Sequence, residues 1–433
     1  MKYASIVIGA GWSGLACAVQ LAKNQHHITL IEAAPQPGGR ARGIQLEHEY
    51  IDNGQHILIG AYTSTIKLLD FLGIKEEKVF LKKRLELLLQ ASYLVKMKLP
   101  RLPAPWHFVV GLFLSTGLTI SEKISIFVFC IKLVKRQFKF FPDCTLQKAF
   151  FLLNHPAELF RRFWEPIALA TMSTPIDTAS ANVFFKVLQD SFNYSSYHSD
   201  YLFPKVSLNT LFIDPAIRYL QSKSCCMMFG SRIKKIIFKK NRCIGVEYKN
   251  DIKYADQVVL AIPPWAASHL LIHPLLWSLS KQLEQFTYEI ITTVYLVFEI
   301  PPNLPSAMLC LLNGPGQWIF DRTFAKQEKI ISVVITGDLY KIESKANLAK
   351  LVYAQLRQNF SKLPKLQLFK VIREKKAAFS CTPWQQILRP HNTTPISNLF
   401  LVGDYTNTGY PATLEGAIRS GLLCAKYVQR YCF

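Results

Sequence analysis

The chain has 433 residues, half of them hydrophobic, so it can bury a sizeable core and is not disordered by composition. Lysine and arginine outnumber aspartate and glutamate 51 to 29, a formal net charge of +22, spread along the chain and denser at 82–84, 132–139 and 234–242. No zinc-finger spacing, RNA-recognition signature or basic helix with interleaved aromatics accompanies the charge. That excludes the common nucleic-acid binders and leaves either a basic solvated face or attraction to an anionic membrane surface.

Ten cysteines are scattered without a Cys-x-x-Cys pair, which predicts reduced thiols in an intracellular enzyme rather than a disulfide framework. No signal peptide precedes the first strand, and no stretch reaches the roughly 18 uninterrupted apolar residues of a spanning helix. A cytoplasmic chain is expected. His269 and His273 stand four apart, but no third ligand is evident and Pro274 follows at once, so no metal site is predicted.

The first element decides the class. Ile6, Val7 and Ile8 read as a buried parallel strand that runs into Gly9-x-Gly11-x-x-Gly14, followed by a helical pattern and a second strand, His27 to Ile31, ending at Glu32. Strand, glycine turn, helix and strand form a dinucleotide-binding unit. Gly9 allows the tight turn, Gly11 lets a pyrophosphate approach the backbone, and Gly14 lets the helix pack on the strand. Glu32, 21 residues after Gly11, can accept hydrogen bonds from ribose hydroxyls.

A glycine-rich turn with two arginines follows, Gly38-Gly39-Arg40-Ala41-Arg42, placed to neutralise charge beside the dinucleotide. In Asp52-Asn53-Gly54-Gln55-His56, Gln55 and His56 could reach a cofactor ring or a substrate. A helix is predicted over 62–74, strands of a different sheet over 81–98, and two short apolar helices over 106–118 and 124–134. Thr119 and Glu122 supply an N-cap and a first-turn acid for the second of these. The lysine-flanked pair suits either a buried hairpin or a segment dipping into one membrane leaflet.

Helices over 145–192, broken at Pro156, Pro166 and Pro175, lead to a loop over 200–211 and a helix over 215–222. Short strands come next at 233–238, 242–248, 252–254 and 256–262. Further strands at 287–300 and 329–336 and a helix over 346–360 belong to an inserted unit. Finally the strand Leu399 to Val402 meets Gly403-Asp404, and a closing helix starts around Pro411 to Ile418. A carboxylate at a strand end can hold a ribityl or diphosphate-side hydroxyl, and a helix N-terminus can stabilise an anionic reduced flavin. Both chain ends thus build one site, which a nicotinamide enzyme would not need.

Taken together, Gly9 to Gly14, Glu32, Gly38-Gly39-Arg40, Gly403-Asp404 and Gly416-Ala417 resemble the amine oxidase and phytoene desaturase superfamily of FAD proteins. Longer strings resemble its hydroxysqualene dehydroxylase branch: Asp52 to His56, Phe163-Trp164-Glu165-Pro166, Asp190-Ser191-Phe192, Gln317 to Arg322, Arg373-Glu374-Lys375 and Gly409 to Gly416. Lys376, Ala378 and the string Gly403-Asp404-Tyr405-Thr406-Asn407 depart from that pattern. The resemblance implies an α/β fold: a Rossmann-like FAD-binding domain of the amine oxidase (glutathione-reductase-like) type over 1–80, 205–285 and 375–433. An inserted α+β substrate domain with a helical lobe would occupy 81–204 and 286–374, with 104–139 as a membrane-contacting hairpin.

It further implies FAD contacts at Gly9, Gly11, Ser13, Gly14, Glu32, Gly39, Arg40, Gly403, Asp404, Thr413 and Leu414, with the main chain of Ile233 at the adenine. The implied reaction is the reductive dehydroxylation of hydroxysqualene to squalene in hopanoid or triterpenoid synthesis. It would be driven by an electron donor outside the chain, at the inner face of the cell membrane. His56 is then the candidate for assisting departure of the hydroxyl, with Gln55 and Asp321, and with Glu165 and Asp190 behind. Three rivals stay open: a carotenoid-type desaturase, an amine oxidase, and a prenyl-lipid escort protein without flavin chemistry.

Overall fold

The computed structural model describes residues 3–46, 49–91, 93–249, 251–337 and 344–431. Five short strands form a wholly parallel sheet in the order Cys226–Met228, His27–Ile31, Ala4–Ile8, Gln257–Leu260, Leu399–Leu401. Strands covered on both faces need apolar residues at every position, and Val258 to Leu260 and Leu399 to Leu401 are fully buried. The helix Trp12–Lys23 packs on the closing helix Leu414–Arg430, where a Cβ on Gly421 would meet Ser13 O at 2.4 Å. The chain leaves Ala4–Ile8 toward one neighbour and returns on its other side, so the C-terminal end of that strand is the switch point where such sheets bind nucleotides.

A second, seven-stranded sheet runs Leu366–Phe379, Tyr288–Phe298, Ile330–Thr336, Trp318–Asp321, Met308–Leu311, Glu86–Gln90, Leu94–Lys98. The helix Lys345–Asn359 covers one of its faces through Leu348, Val352 and Leu356. The other face looks toward a helical lobe built around Phe129, Phe150, Phe163, Trp164 and Phe185.

Several expectations are corrected. The predicted loop over 200–211 contains a strand, Tyr201–Pro204, paired with Phe80–Lys83 and Leu58–Ile59. Pro204 suggested a loop, but it sits at the strand's end, where a missing N–H costs little. Pro166 does not break its helix: the chain widens into a π-turn at Phe160–Trp164 and continues as Glu165–Met172, with the proline in the first turn of that segment. The hairpin Gly43–Leu46/Glu49–Asp52 and the 14-residue strand Leu366–Phe379 were not predicted. The latter has an edge register of exposed charges that hides its alternation. In the hairpin of apolar helices, Trp106–Leu114 stops at Ser115 and Ile120–Lys135 opens on Thr119. Its hydroxyl accepts from Glu122 N while the Glu122 carboxylate accepts from Thr119 N.

Candidate active site

A cavity of about 940 Å³ starts at the switch point and runs between the seven-stranded sheet and the helical lobe. Its nucleotide end is set by the first strand and turn. Gly9 adopts φ +105° and donates to Ile31 O at 2.7 Å, a conformation few other residues tolerate. A Cβ on Gly14 would lie 2.0 Å from Gly9 O, so only glycine lets the helix sit this close. Within 4 Å, a Cβ on Gly11 would meet only the Cα of Gly39, at 4.0 Å. The space between these two turns is an open cradle bounded by backbone, and it fits a pyrophosphate.

Glu32 ends the second strand with its carboxylate accepting from Ala10 N at 2.7 Å and Ala34 N at 2.8 Å. Those bonds hold it at the wall, with lone pairs left for hydroxyl donors. Ile233, flanked by Arg232 and Lys234, lines the same end. Gly403, Asp404, Thr413 and Leu414 line the opposite wall, where Thr413 caps the closing helix by accepting from Gly416 N at 3.1 Å. Arg40 joins the two walls. It donates two hydrogen bonds to Asp404, at 2.7 and 2.8 Å, and a third to Ala377 O at 2.9 Å. Residues from both chain ends and from the middle of the chain therefore converge on one cleft.

The loop Asp52 to His56 forms the floor where the cleft becomes apolar. Asp52 accepts from Leu208 N at 2.9 Å, Asn53 donates to Arg40 O, and Gln55 accepts from Ser332 Oγ at 2.9 Å and from Arg322. This loop is tied down on three sides. His56 Nδ1 faces Gly54 O at 2.9 Å; since a carbonyl only accepts, Nδ1 carries the proton and Nε2 is the free nitrogen. Burial lowers the His56 pKa, against the opposing pull of Asp52. Burial likewise raises Asp52, against its bond from Leu208.

Asp321 does not join them. Its carboxylate accepts from Thr323 N at 2.9 Å and from the Thr323 hydroxyl, capping a short 3₁₀ turn, and it does not line the cavity. Its neighbour Arg322 is the supporting residue: buried, it donates to Gln55 and, at 2.6 Å, to Gln327. Glu165 also stays outside the lining, whereas Asp190 lines it. Asp190 pairs with Lys186 at 2.7 Å and accepts from the Tyr410 hydroxyl.

Two supports were not predicted. Buried Arg389 donates to the carbonyls of Asp404, Thr406 and Tyr410 and so fixes the whole 403–410 turn. Burial pulls its pKa down to about 10. Glu415, fully buried, accepts from Ser64 N, Thr65 N and Arg419 at 2.7–3.0 Å, fastening the closing helix to the start of Thr63–Phe71. Gly409 to Gly416 carried the signal for Glu415; an isolated arginine before a proline carried none.

The rest of the cavity is lined mostly by apolar side chains, among them Leu85, Leu87, Ile167, Leu188, Phe192 and Phe320. It can hold an extended hydrocarbon next to the half-buried His56 imidazole.

Residues 12–429 match the family described as flavin containing amine oxidoreductase. The chain is 26% identical over 432 residues to a hydroxysqualene dehydroxylase of Rhodopseudomonas palustris, covering 98% of this chain and 97% of that one. It is 23% identical over 464 residues to a 15-cis-phytoene desaturase of Synechococcus elongatus, covering 98% and 95%. Among solved structures, an oxidoreductase from Methanosarcina mazei superposes with a TM-score of 0.76 at 15% identity, over 98% of this chain and 100% of that one.

Proposed function

The chain belongs to the flavin containing amine oxidoreductase family, whose members bind FAD, and on that premise we propose that it removes the hydroxyl of hydroxysqualene to give squalene. The observation that carries the reading is the largely apolar chamber continuous with the dinucleotide cleft, with half-buried His56 at its floor. Reduced FAD, when bound, supplies the hydride equivalent that such a reaction consumes. Gly9, Gly11, Ser13, Gly14, Glu32, Gly39, Arg40, Ile233, Gly403, Asp404, Thr413 and Leu414 would hold it, as the resemblance implies; all but Gly14, which packs the helix against Gly9 behind the turn, line the cleft.

The chain's own part is to bind, orient and keep water out. An allylic C–O bond breaks heterolytically only if the leaving oxygen is hydrogen-bonded or protonated, and in this reading His56, on the cavity lining, does that. Its Nδ1–H is committed to Gly54 O, which leaves Nε2 as the nitrogen for the leaving oxygen; to give a proton the ring must first be doubly protonated. The apolar walls disfavour bulk water and protect the carbocation character that develops. Net, the substrate loses its hydroxyl as water, takes up a hydride and a proton, and is reduced by two electrons. A donor outside the chain must restore them. A C30 hydrocarbon partitions into bilayers, so the same reading has the protein working at the inner face of the cell membrane.

The test is an anaerobic single turnover in mild detergent. Reduced flavoprotein mixed with hydroxysqualene should yield squalene together with reoxidised flavin. Desaturation of a polyene by the oxidised protein, with hydroxysqualene untouched, would replace this reading with the carotenoid-type one. A protein that purifies without flavin would point to a lipid escort.

A further inference from the structure

The helix Ile120–Lys135 is apolar on two sides. Ile126, Phe129 and Leu133 face the core. Ile120, Ile124, Val128, Ile131 and Val134, at three- and four-residue spacing, form a second stripe that is exposed. A helix with an apolar stripe on its outer side as well as its core side has a second apolar face to cover. Neighbouring elements widen the stripe. Trp106 and Leu114, on the preceding helix, are 61% and 70% exposed; Phe151, on the helix Leu146–Leu152, is 77% exposed. These elements adjoin: the rings of Phe113 and Phe127 lie 5.9 Å apart, and Lys132 Nζ donates to Leu153 O at 2.6 Å. Single exposed apolar residues are ordinary, but a contiguous patch across three helices calls for a partner.

Charge indicates which partner. Residues 98–162 hold ten lysines and arginines against three acids, and one of those acids, Glu122, is engaged by Arg162 at 2.5 Å. Lys135, Arg136 and Lys139 lie exposed at the end of the stripe. An apolar face with cationic heads at its rim and a tryptophan at its edge matches the depth profile of an anionic lipid interface. Among the described residues no helix is long and apolar enough to cross a membrane, so the hairpin would lie in the interface plane. One layer of side chains separates it from the cavity. Phe192 lines the chamber and packs against Phe108 of the hairpin, ring centroids 4.8 Å apart.

We infer that the outer face of the hairpin docks the protein onto anionic phospholipid bilayers, beside the point where the substrate chamber ends. Its role in substrate entry rests on the isoprenoid reading; the surface itself does not.

The test uses flavin-loaded protein and sonicated vesicles of phosphatidylglycerol mixed with phosphatidylcholine. The native chain should co-sediment with them, bind pure phosphatidylcholine weakly, and have Trp106 fluorescence quenched by bromine-labelled acyl chains, with Trp106→Phe assigning the signal. Val128→Glu with Ile131→Glu should lower vesicle partitioning by roughly tenfold or more, with flavin spectrum and melting temperature unchanged. Replacing Lys135, Arg136 and Lys139 by alanine should weaken binding to anionic vesicles by roughly fivefold per charge. Native protein that stays in the supernatant with no quenching would overturn the inference, as would glutamate variants that bind like the native chain. A lipid-free dimer dissolved by the glutamate pair, with no vesicle binding, would assign the face to a second copy instead. Turnover of detergent-solubilised hydroxysqualene is read separately, so a failure of the chemistry leaves vesicle binding interpretable.

Discussion

At the residue scale, the polar groups that join the two walls of the cleft take their partners from distant parts of the chain. Arg40 and Asp404 are 364 positions apart and share two hydrogen bonds. Asp404→Ala leaves the guanidinium without its carboxylate and opens the wall of the cleft. Flavin retention should fall, seen as a lower ratio of 450 nm to 280 nm absorbance after gel filtration, with an affinity loss of about 3–5 kcal/mol at most. For His56 the sign of the pH effect is fixed by its burial. Its pKa is lowered, so the ring is neutral near neutrality and the doubly protonated form grows about tenfold per unit as pH falls. Turnover of hydroxysqualene should therefore rise on mild acidification. His56→Gln should cost roughly 10²–10⁴-fold in turnover while flavin content is kept; an unchanged rate would remove His56 from the chemistry. Gln55 and His56 were legible because a glycine-flanked polar string interrupts an apolar run. Asp321 misled for the same reason: it is polar and follows an apolar strand, yet its carboxylate is consumed by the next turn. Which of two adjacent charged residues faces inward is decided by chain direction beyond a strand's end, and periodicity does not reach that far.

At the element scale, capping and buried ion pairs set the joints. Thr119→Ala removes a capping box from a helix whose outer face is exposed, and should lower stability by about 1 kcal/mol, measurable by urea denaturation. Glu415→Ala should be far more damaging. It strips the start of Thr63–Phe71 of its acceptor and leaves Arg419 unpaired, at a cost of about 3–5 kcal/mol in the same measurement. The regular elements with a clean period were readable: the first strand–helix–strand, the strands at 288–298 and 330–336, and the N-cap at Thr119. Leu366–Phe379 was not, since at the sheet edge its residues alternate between exposed and half-buried charge. Tyr201–Pro204 was hidden by its own proline and pairs with strands more than a hundred residues upstream.

At the scale of the whole molecule, burial of histidines links stability to pH. His155 is packed between Phe129 and Phe150 and its pKa is pushed down to about 4 by burial and by Lys132. His26, His56 and His107 shift the same way. The unfolded chain takes up protons near pH 6.5 that the folded chain refuses, so their contribution is complete above about pH 6.5 and is lost as pH falls toward about 4. Thermal unfolding should show that decline, and His155→Asn should flatten it; a melting temperature level across the window would contradict the assignment. The sequence by itself determined the dinucleotide turn, the class of the fold and the family. Those depend on local spacing: glycines where backbone must approach backbone, an acid one strand later, and a matching glycine-acid pair at the far end. Only the tertiary structure decided that Arg40 meets Asp404, that Arg322 rather than Asp321 supports the cavity floor, and that a helix with two apolar faces keeps one of them exposed. These are contacts between segments hundreds of residues apart, and hydrophobic burial, which carries no record of its partner in the local sequence, sets them.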